Sequence, residues 1–415
     1  RDLHLSLRRQ RQMCIRDRSG AKYLQTIMRS KYREVSLSQE YNMQGDYSLH
    51  FEKLDQIDRT LVLYKSKFNK LDFSDMISQY IESVEAPYLD LLIVDEAQDL
   101  TPLQWTMVEK MSENAEEIII AGDDDQAIHR WTGVNVQRFV DSSDRVKVLN
   151  KSYRLPRSVW ALAERISRRI PNRIPKEFYP REEEGRVDWV WRVSDLPLDQ
   201  GSWTIMARTN SFVNDIAEEL RSWGYFYSLK GRTSIKQEHI EVMAIWKDLQ
   251  KGYALPLDTI KIFYKGVPKT KHNAVVQRGS TALLDMLPPD AEVNYQELVK
   301  DFGMLAPLDR DAKDIARLSM DEKLYIAAIE RRGESIEGNP RIKLSTIHAM
   351  KGGEDDNVAV YLGSTQACME GKNPEDEHRV FYVAVTRAKQ NLYLIESDKK
   401  YRYISVSYTH LTLPT

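Results

Sequence analysis

Short apolar runs alternate along the chain with longer stretches whose apolar residues recur every three to four positions. The short runs predict strands at Asp90–Val94, Glu117–Ala121, Val146–Leu149, Trp203–Ala207, Arg341–Leu344, Val358–Leu362 and Leu392–Ile395. The longer periods predict helices at Pro102–Met111, Arg157–Arg169, Val213–Trp223 and Glu377–Ala388. Pro102 in a first helical turn and Pro156 just ahead of another fit the N-terminal preference of proline. Strands alternating with helices imply an α/β protein with parallel sheets covered by helices. Residues 20–75 are polar and mainly helical, and residues 235–338 break the alternation as a Pro-interrupted, mainly helical insertion. The polar segments that follow the strands are expected at their C-terminal ends, where open α/β sheets bind ligands.

Composition changes this picture only by exclusion. A chain of 415 residues with 42% hydrophobic and 29% charged residues has room for two or three globular domains. No apolar stretch approaches the ~20 residues that cross a bilayer, so no membrane association is expected. Cys14 and Cys368 are far apart and suggest neither zinc nor a disulfide, and a reducing cytoplasmic setting is the default. The net charge of -2 gives no general affinity for nucleic acid, so any such affinity must be local. A basic stretch holds Arg154, Arg157, Arg165, Arg168, Arg169, Arg173 and Lys176, which read equally well as a solvated helix face. The ends, 1–19 and from about 407 onward, lack periodic pattern and are expected to be non-native tails.

Three segments carry chemistry. Leu91–Val94 runs into Asp95-Glu96-Ala97-Gln98-Asp99, an apolar strand ending in two adjacent carboxylates. Nucleotide hydrolases use this arrangement to hold Mg²⁺ and orient a water, although a charged turn capping a strand would look alike. Ile118–Ala121 runs into Gly122-Asp123-Asp124-Asp125-Gln126, polar groups that are costly to bury unless something pairs with them. A glutamine there is able to sense a γ-phosphate through its amide, and Trp131 nearby offers a face for stacking a base. The third segment, Tyr382–Lys389, holds Arg387 beyond an amphipathic run.

These segments, in this order, resemble the superfamily 1A helicases of the UvrD/Rep/PcrA type. Asp95–Asp99 resembles motif II, Gly122–Gly133 motif III, Asn150–Arg154 motif IV, Leu344–Glu354 motif V and Glu377–Arg387 motif VI; Asp72–Met76 resembles the segment ahead of motif II, and Arg208–Asn210 the one after the first strand of the second motor domain. The resemblance spans roughly residues 70–398. It implies two RecA-like parallel-sheet P-loop NTPase domains, the first incomplete, with a small, mainly helical insertion. It implies ATP and Mg²⁺ as cofactors, single-stranded and partially duplex DNA as partner, and 3′ to 5′ translocation in a bacterial or phage-infected cytoplasm. Carried over residue by residue, Asp95 holds Mg²⁺ through water, Glu96 activates the attacking water and Gln126 senses the γ-phosphate. Tyr153 packs on adenine, Glu354 contacts ribose, and Arg154 with Arg387 neutralises charge between the two lobes. Trp131, His129, Arg208, Asn210, Thr346 and His348 contact DNA.

The departures matter as much. No G-x-x-x-x-G-K-[ST] phosphate loop occurs in the chain, which suggests N-terminal truncation rather than decay, since motifs II to VI keep their chemical groups. Gly353 stands where the family usually has leucine, and His129 where it often has tyrosine. The expected organisation is a partial first motor domain at 20–149, a second at 150–234 with 339–400, a reduced insertion at 235–338 and a tail from 401. The expected activity is that of a helicase motor, inactive as this fragment. The alternatives are a catalytically dead DNA-binding module and the motor part of a helicase–nuclease. Arg379 and Arg387 are expected to share one face of a single helix, with Arg379 as a brace.

Overall fold

The computed structural model describes residues 18–45, 48–129, 132–143, 145–171, 173–269, 273–370 and 374–404; Trp131 and most of both tails lie outside this set. The described residues up to Asn150, with Ser167–Phe178 and His378–Tyr382, form one compact unit. Lys151–Ile166, Tyr179–Glu377 and the residues from Val383 onward form a second.

The first unit contains α1 (Arg18–Tyr32), α2 (Leu37–Gln44), α3 (Phe51–Phe68), α4 (Phe73–Ser83), β1 (Leu89–Val94), α5 (Pro102–Ser112), β2 (Ala115–Ile120) and α6 (Val136–Val140). Tyr23, Ile27, Leu49 and Leu54 give the first three helices a small core of their own. Asp72 caps α4 and forms a reciprocal capping box with Asp75, while the Lys65 ammonium bonds both carboxylates. The acidic pair ahead of motif II is therefore a helix-start device.

Strands β1 and β2 pair in parallel, with Leu92 opposite Ile118 and Val94 opposite Ile120. Leu92 and Val94 pack on Ala97, Trp105 and Val108. Alternation turns Leu91, Ile93 and Ile119 to the other face, where they are exposed by 43%, 61% and 44%. Parallel sheets are ordinarily covered on both faces, so this face is unusual. The strand expected at Val146–Leu149 does not form: residues 145–150 are irregular, and Val146, Val148 and Leu149 are exposed. Apolar alternation makes a strand only where a neighbour takes up the backbone groups, and no described strand pairs with this segment.

The second unit runs α7 (Arg157–Ser167), β3 (Arg186–Val190), β4 (Trp203–Ala207), α8 (Asn210–Ser222), β5 (Tyr227–Leu229), β6 (Arg232–Thr233), α9 (Gln237–Gln250), β7 (Leu255–Pro256), α10 (Leu257–Gly266), α11 (Thr281–Leu284), β8 (Glu292–Val293), α12 (Tyr295–Asp301), α13 (Ala312–Ile315), α14 (Met320–Arg331), β9 (Ile342–Thr346), β10 (Asp355–Tyr361), α15 (Gln366–Met369), the two ends of α16 (Asp376–Val385), whose His378–Tyr382 belong to the first unit, and β11 (Ala388–Ile395). Its sheet has the order β3-β11-β10-β4-β9-β5-β6, parallel throughout except for the terminal β5–β6 hairpin. Every residue of the central β4 is buried, as its sequence, apolar at every position except Thr204, requires.

Residues 235–338 are mainly helical, with one small β7–β8 pair. Their buried Val242, Trp246, Phe263 and Ile326 belong to the same hydrophobic core as Trp203, Ile205 and Leu344 of the sheet. The insertion is thus packed as an extension of that core.

Two helices end earlier than their periodicity suggests. α7 stops at Ser167, and α16 stops at Val385, short of Arg387. Arg379 and Arg387 therefore do not share a helix face, because the chain turns at Thr386 to enter β11.

Candidate functional site

In the first unit, β1 delivers Asp95 and Glu96 to the surface, both exposed. Glu96 adopts the left-handed region (φ 53, ψ 34), a conformation disfavoured for any residue with a Cβ. Its neighbours fix it there: Ala97 N–H donates to Ala121 O at 3.0 Å, Ala121 N–H to Val94 O at 2.7 Å and Asp99 N–H to Glu96 O at 3.0 Å. Glu96 N–H donates to Asp95 Oδ1 at 2.8 Å.

Gln98, fully buried, joins this turn to the next. Its Nε2 donates to Glu96 Oε2 at 2.5 Å, and its Oε1 accepts the Asp123 N–H at 2.9 Å. A Cβ at Gly122 would lie 2.5 Å from Gln98 Oε1 and 2.9 Å from the Phe139 ring, so glycine is what allows the two turns to meet.

Beyond β2, Gln126 Nε2 donates to Asp123 Oδ2 at 2.8 Å. The carboxylates of Asp123, Asp124 and Asp125 converge, and two cations answer them. Lys176 Nζ lies 2.5 Å from Asp123 Oδ1 and 3.6 Å from Asp125 Oδ2, and it also bonds Asp124. Arg173 grips Asp125 with two nitrogens, Nε to Oδ1 at 2.9 Å and Nη2 to Oδ2 at 2.6 Å. Ile174 N–H donates to Asp124 Oδ2 at 2.9 Å, and Arg379 Nε to Asp124 O at 3.2 Å.

This is a compensated ion cluster rather than a metal cage. Burial pushes the Asp125 carboxyl up against the pull of Arg173. Burial alone would lower the Lys176 ammonium, but the three carboxylates outweigh it and the net direction is up. His129 is half-buried, and its carbonyl accepts the Thr132 N–H at 2.9 Å.

In the second unit, Arg154 and Glu354 come together, Nε to Oε2 at 2.6 Å, and the guanidinium holds that carboxyl below its usual range. Tyr153 is exposed, with Lys151 Nζ 5.2 Å from its ring centre. Arg387 is buried and donates from Nε to Val383 O at 2.9 Å, from Nη1 to Gly353 O at 3.3 Å and from Nη2 to Thr386 Oγ1 at 3.0 Å.

Glu354 precedes β10 and Arg387 precedes β11, so both lie at the N-terminal edge of the sheet. The expectation that every motif follows a strand C-terminus is corrected here. Parallel strands oblige the connection from β9 to β10 to return across the sheet, so motif V begins at one edge and ends at the other.

The opposite edge gathers the residues assigned to DNA. Ala207 of β4 is in register with Thr346 of β9, and Ile347 N–H donates to Ala207 O at 3.1 Å. Asn210 is exposed at the start of α8, His348 is half-buried, and Thr346 Oγ1 accepts the Ala349 N–H at 3.3 Å. Arg208 differs from its expected role as an outward contact. Its Nε and Nη2 grip the buried Glu377, with Nη2 to Oε1 at 2.7 Å, in an internal ion pair.

A family model for the UvrD/REP helicase N-terminal domain matches residues 3–147, and one for the UvrD-like helicase C-terminal domain matches residues 342–395. The chain thus carries UvrD/REP N-terminal and UvrD-like C-terminal helicase domains, consistent with a UvrD-like helicase of superfamily 1A. A probable DNA helicase II homolog of Mycoplasma genitalium is 22% identical over 453 residues, covering 87% of this chain and 64% of that protein. The ATP-dependent DNA helicase PcrA of Bacillus subtilis is 22% identical, covering 85% and 59%. The ATP-dependent DNA helicase UvrD2 of Mycobacterium tuberculosis is 24% identical, covering 78% and 51%. The chain thus spans between half and two thirds of the length of these relatives.

For a UvrD-like chain, Gln98, Arg173 and Lys176 are the residues that sequence reasoning does not single out individually. Three successive aspartates after a strand already demand counter-charge. That demand is the one available signal for Arg173 and Lys176.

Proposed function

We propose that this chain is part of an ATP-dependent DNA helicase or translocase that moves 3′ to 5′ on single-stranded DNA and opens adjoining duplex. In this reading the first unit is a partial RecA-like motor domain and the second a complete one carrying a reduced insertion. The observation that supports it most is the link from Glu96 through Gln98 to the Asp123–Gln126 turn. Through it, a water-activating carboxylate and a phosphate-sensing amide move together. Asp95 fits a Mg²⁺ ligand, since its carboxylate is exposed beside Glu96, while the Asp123–Asp125 cluster is already neutralised by Lys176 and Arg173. Mg²⁺ bound there supplies charge neutralisation on the phosphates.

Glu96 orients and deprotonates the attacking water, and Gln126 reads the γ-phosphate. Arg154 and Arg387 meet the negative charge that develops on it, and Tyr153 and Glu354 hold the base and ribose. Thr346, His348 and Asn210, at adjacent strand ends, contact the DNA strand. Trp131 and His129 are proposed for the same strand from the first unit.

The test uses the 415-residue polypeptide and a version joined in frame to a segment bearing G-x-x-x-x-G-K-[ST]. The polypeptide alone is expected to bind a single-stranded oligonucleotide but to hydrolyse ATP close to background. The joined version is expected to regain DNA-stimulated hydrolysis, and Glu96→Gln to abolish that turnover while sparing nucleotide binding. Absence of DNA binding, or vigorous hydrolysis without the loop, overturns the reading. If the joined version binds DNA but stays inert, the catalytically dead module is the better account.

A further inference from the structure

The N-terminal edge of the second unit's sheet holds a buried carboxylate to which the chemistry above gives no role. Asp355, the first residue of β10, is 4% exposed. Thr204, the one polar residue of β4, is fully buried, and its hydroxyl donates to Asp355 Oδ2 at 3.0 Å. Lys343 Nζ of β9 lies 3.3 Å from the same oxygen. Oδ1 accepts the Ser202 hydroxyl and the Asp356 N–H, the latter at 2.9 Å. Burial would raise this carboxyl, but the Ser202 and Thr204 hydroxyls, with Lys343 and the Asp356 amide, outweigh it, and the net direction is down. Asp355 therefore stays ionised at neutral pH.

Stability alone does not call for a charge in this place, because well-packed apolar residues are often as good as buried ions or better. What the carboxylate adds is direction, since its oxygens tie the start of β10 to donors on β4 and β9. The Asp355 N–H donates to Arg387 O at 3.1 Å, and Arg387 Nη1 donates back to Gly353 O at 3.3 Å. Glu354 lies between these two bonded residues. It is exposed, with Oε2 at 2.6 Å from Arg154 Nε. The register changes at the same point: Asp355 pairs with Ala388 but Asn357 with Asn391, so β11 carries one extra residue. Bulges of this kind re-aim side chains beside functional sites.

We propose that Asp355 is a positioning residue: it fastens the Gly353–Asp356 segment to β4 and β9, so that Glu354 meets a nucleotide ribose from a fixed place beside Arg154. The identity of the ligand rests on the ATP-motor reading above. That Asp355 sets Glu354 against Arg154 does not depend on it.

The test is a pH titration of the Glu354 carboxyl in the 415-residue chain, followed by carbon-13 NMR of labelled glutamate and assigned with Glu354→Gln. In wild type Arg154 holds this carboxyl below its usual range. Asp355→Asn is nearly isosteric and removes the charge. If Asp355 acted through charge alone, losing a neighbouring negative group would lower the Glu354 value further. Lost positioning does the reverse, because Glu354 leaves Arg154 and returns toward the ordinary glutamate range. The expected sign is upward. Thr204→Val keeps the Asp355 charge but removes one of its donors, and it is expected to move Glu354 the same way by less. Should Asp355→Asn fail to fold, Thr204→Val carries the test with the same sign.

ADP and 2′,3′-dideoxy-ADP are then titrated into each protein and read at the same signal. Wild type is expected to favour ADP about tenfold, the scale of one hydrogen bond to a charged group, and Asp355→Asn to lose that preference. A Glu354 value unchanged or lowered in Asp355→Asn overturns the proposal. Equal weakening of both nucleotides marks a general structural role and overturns it as well. If neither nucleotide moves the wild-type signal, the nucleotide reading fails and takes with it the ligand named here, while the titration alone still decides whether Asp355 places Glu354.

Discussion

Replacing Lys176 by methionine tests whether the turn that carries Gln126 is held from outside itself. The ammonium is nearly buried and meets all three carboxylates, and among the described residues Arg173 is the other side chain ion-paired with them. Methionine keeps most of the volume and removes the charge, leaving the three carboxylates with Arg173 as their ion-pair partner among the described residues. Removing one partner of a buried ion pair costs about 3–5 kcal/mol. Arg173 keeps its grip on Asp125, so the lower end applies, about 3 kcal/mol. At about 1.36 kcal/mol per decade this is on the order of a hundredfold.

The assay is native-state hydrogen exchange, read at the Gln126 and Ala127 amides, which bond Asp123 O at 2.9 Å and Asp124 O at 3.4 Å. Exchange there is expected to accelerate by that factor, while amides of β4 and β9 are unmoved. Lys176→Arg should retain most of the protection.

The pH dependence has a definite sign. The folded-state pKa of Lys176 lies above its unfolded value, so its stabilisation is complete below the ordinary lysine range and is lost as pH rises through the raised value. Protection of these amides should therefore fall on the alkaline side in wild type, and Lys176→Met should lack that step. Exchange within twofold of wild type would refute the view that Lys176 holds the turn.

Gly122→Ala should force Gln98 or Phe139 aside and destabilise the first unit by about 1–3 kcal/mol, seen as earlier urea unfolding of that unit. Arg208→Lys keeps the charge but loses the two-nitrogen grip on buried Glu377. It should lower the unfolding midpoint of the second unit, and Arg208→Ala should lower it further, by about 3–5 kcal/mol; equal stability of all three would sink the assignment. Ile93→Lys with Ile119→Lys, on the exposed face of the two-stranded sheet, should change the melting temperature little, because neither side chain is buried among the described residues; a large fall would show that this face is covered.

The parts of this fold that can be read from sequence are those where local pattern and burial coincide. β4 is legible because it is apolar at every position but one and buried at every position. β3 escapes the pattern because Arg186 and Asp188 interrupt the run; they form an ion pair on an edge strand that is only half-buried. Val146–Leu149 has the right alternation and no described neighbour, and so stays irregular. For the site, Asp95, Glu96 and Gln126 announce themselves by following strands. The pairing of Arg173 and Lys176 with aspartates some fifty residues earlier does not, since no periodicity records a long-range contact. Arg208 reads as solvent-facing because its charge is visible while Glu377, its counter-ion, lies far along the chain.

The placement of Arg154, Glu354 and Arg387 at one margin of the second unit's sheet, and of Asn210, Thr346 and His348 at the other, makes that sheet a stiff lever. β10 has seven residues, a span of ~20 Å, and it is hydrogen-bonded to rigid neighbours on both sides. Glu377, in the first turn of α16, is clasped by Arg208 at the far margin, and the chain returns to the near one at Arg387. Such an assembly does not compress. A small rotation imposed at the Arg154–Glu354 margin must reappear, undiminished, as displacement at the Asn210–Thr346 margin.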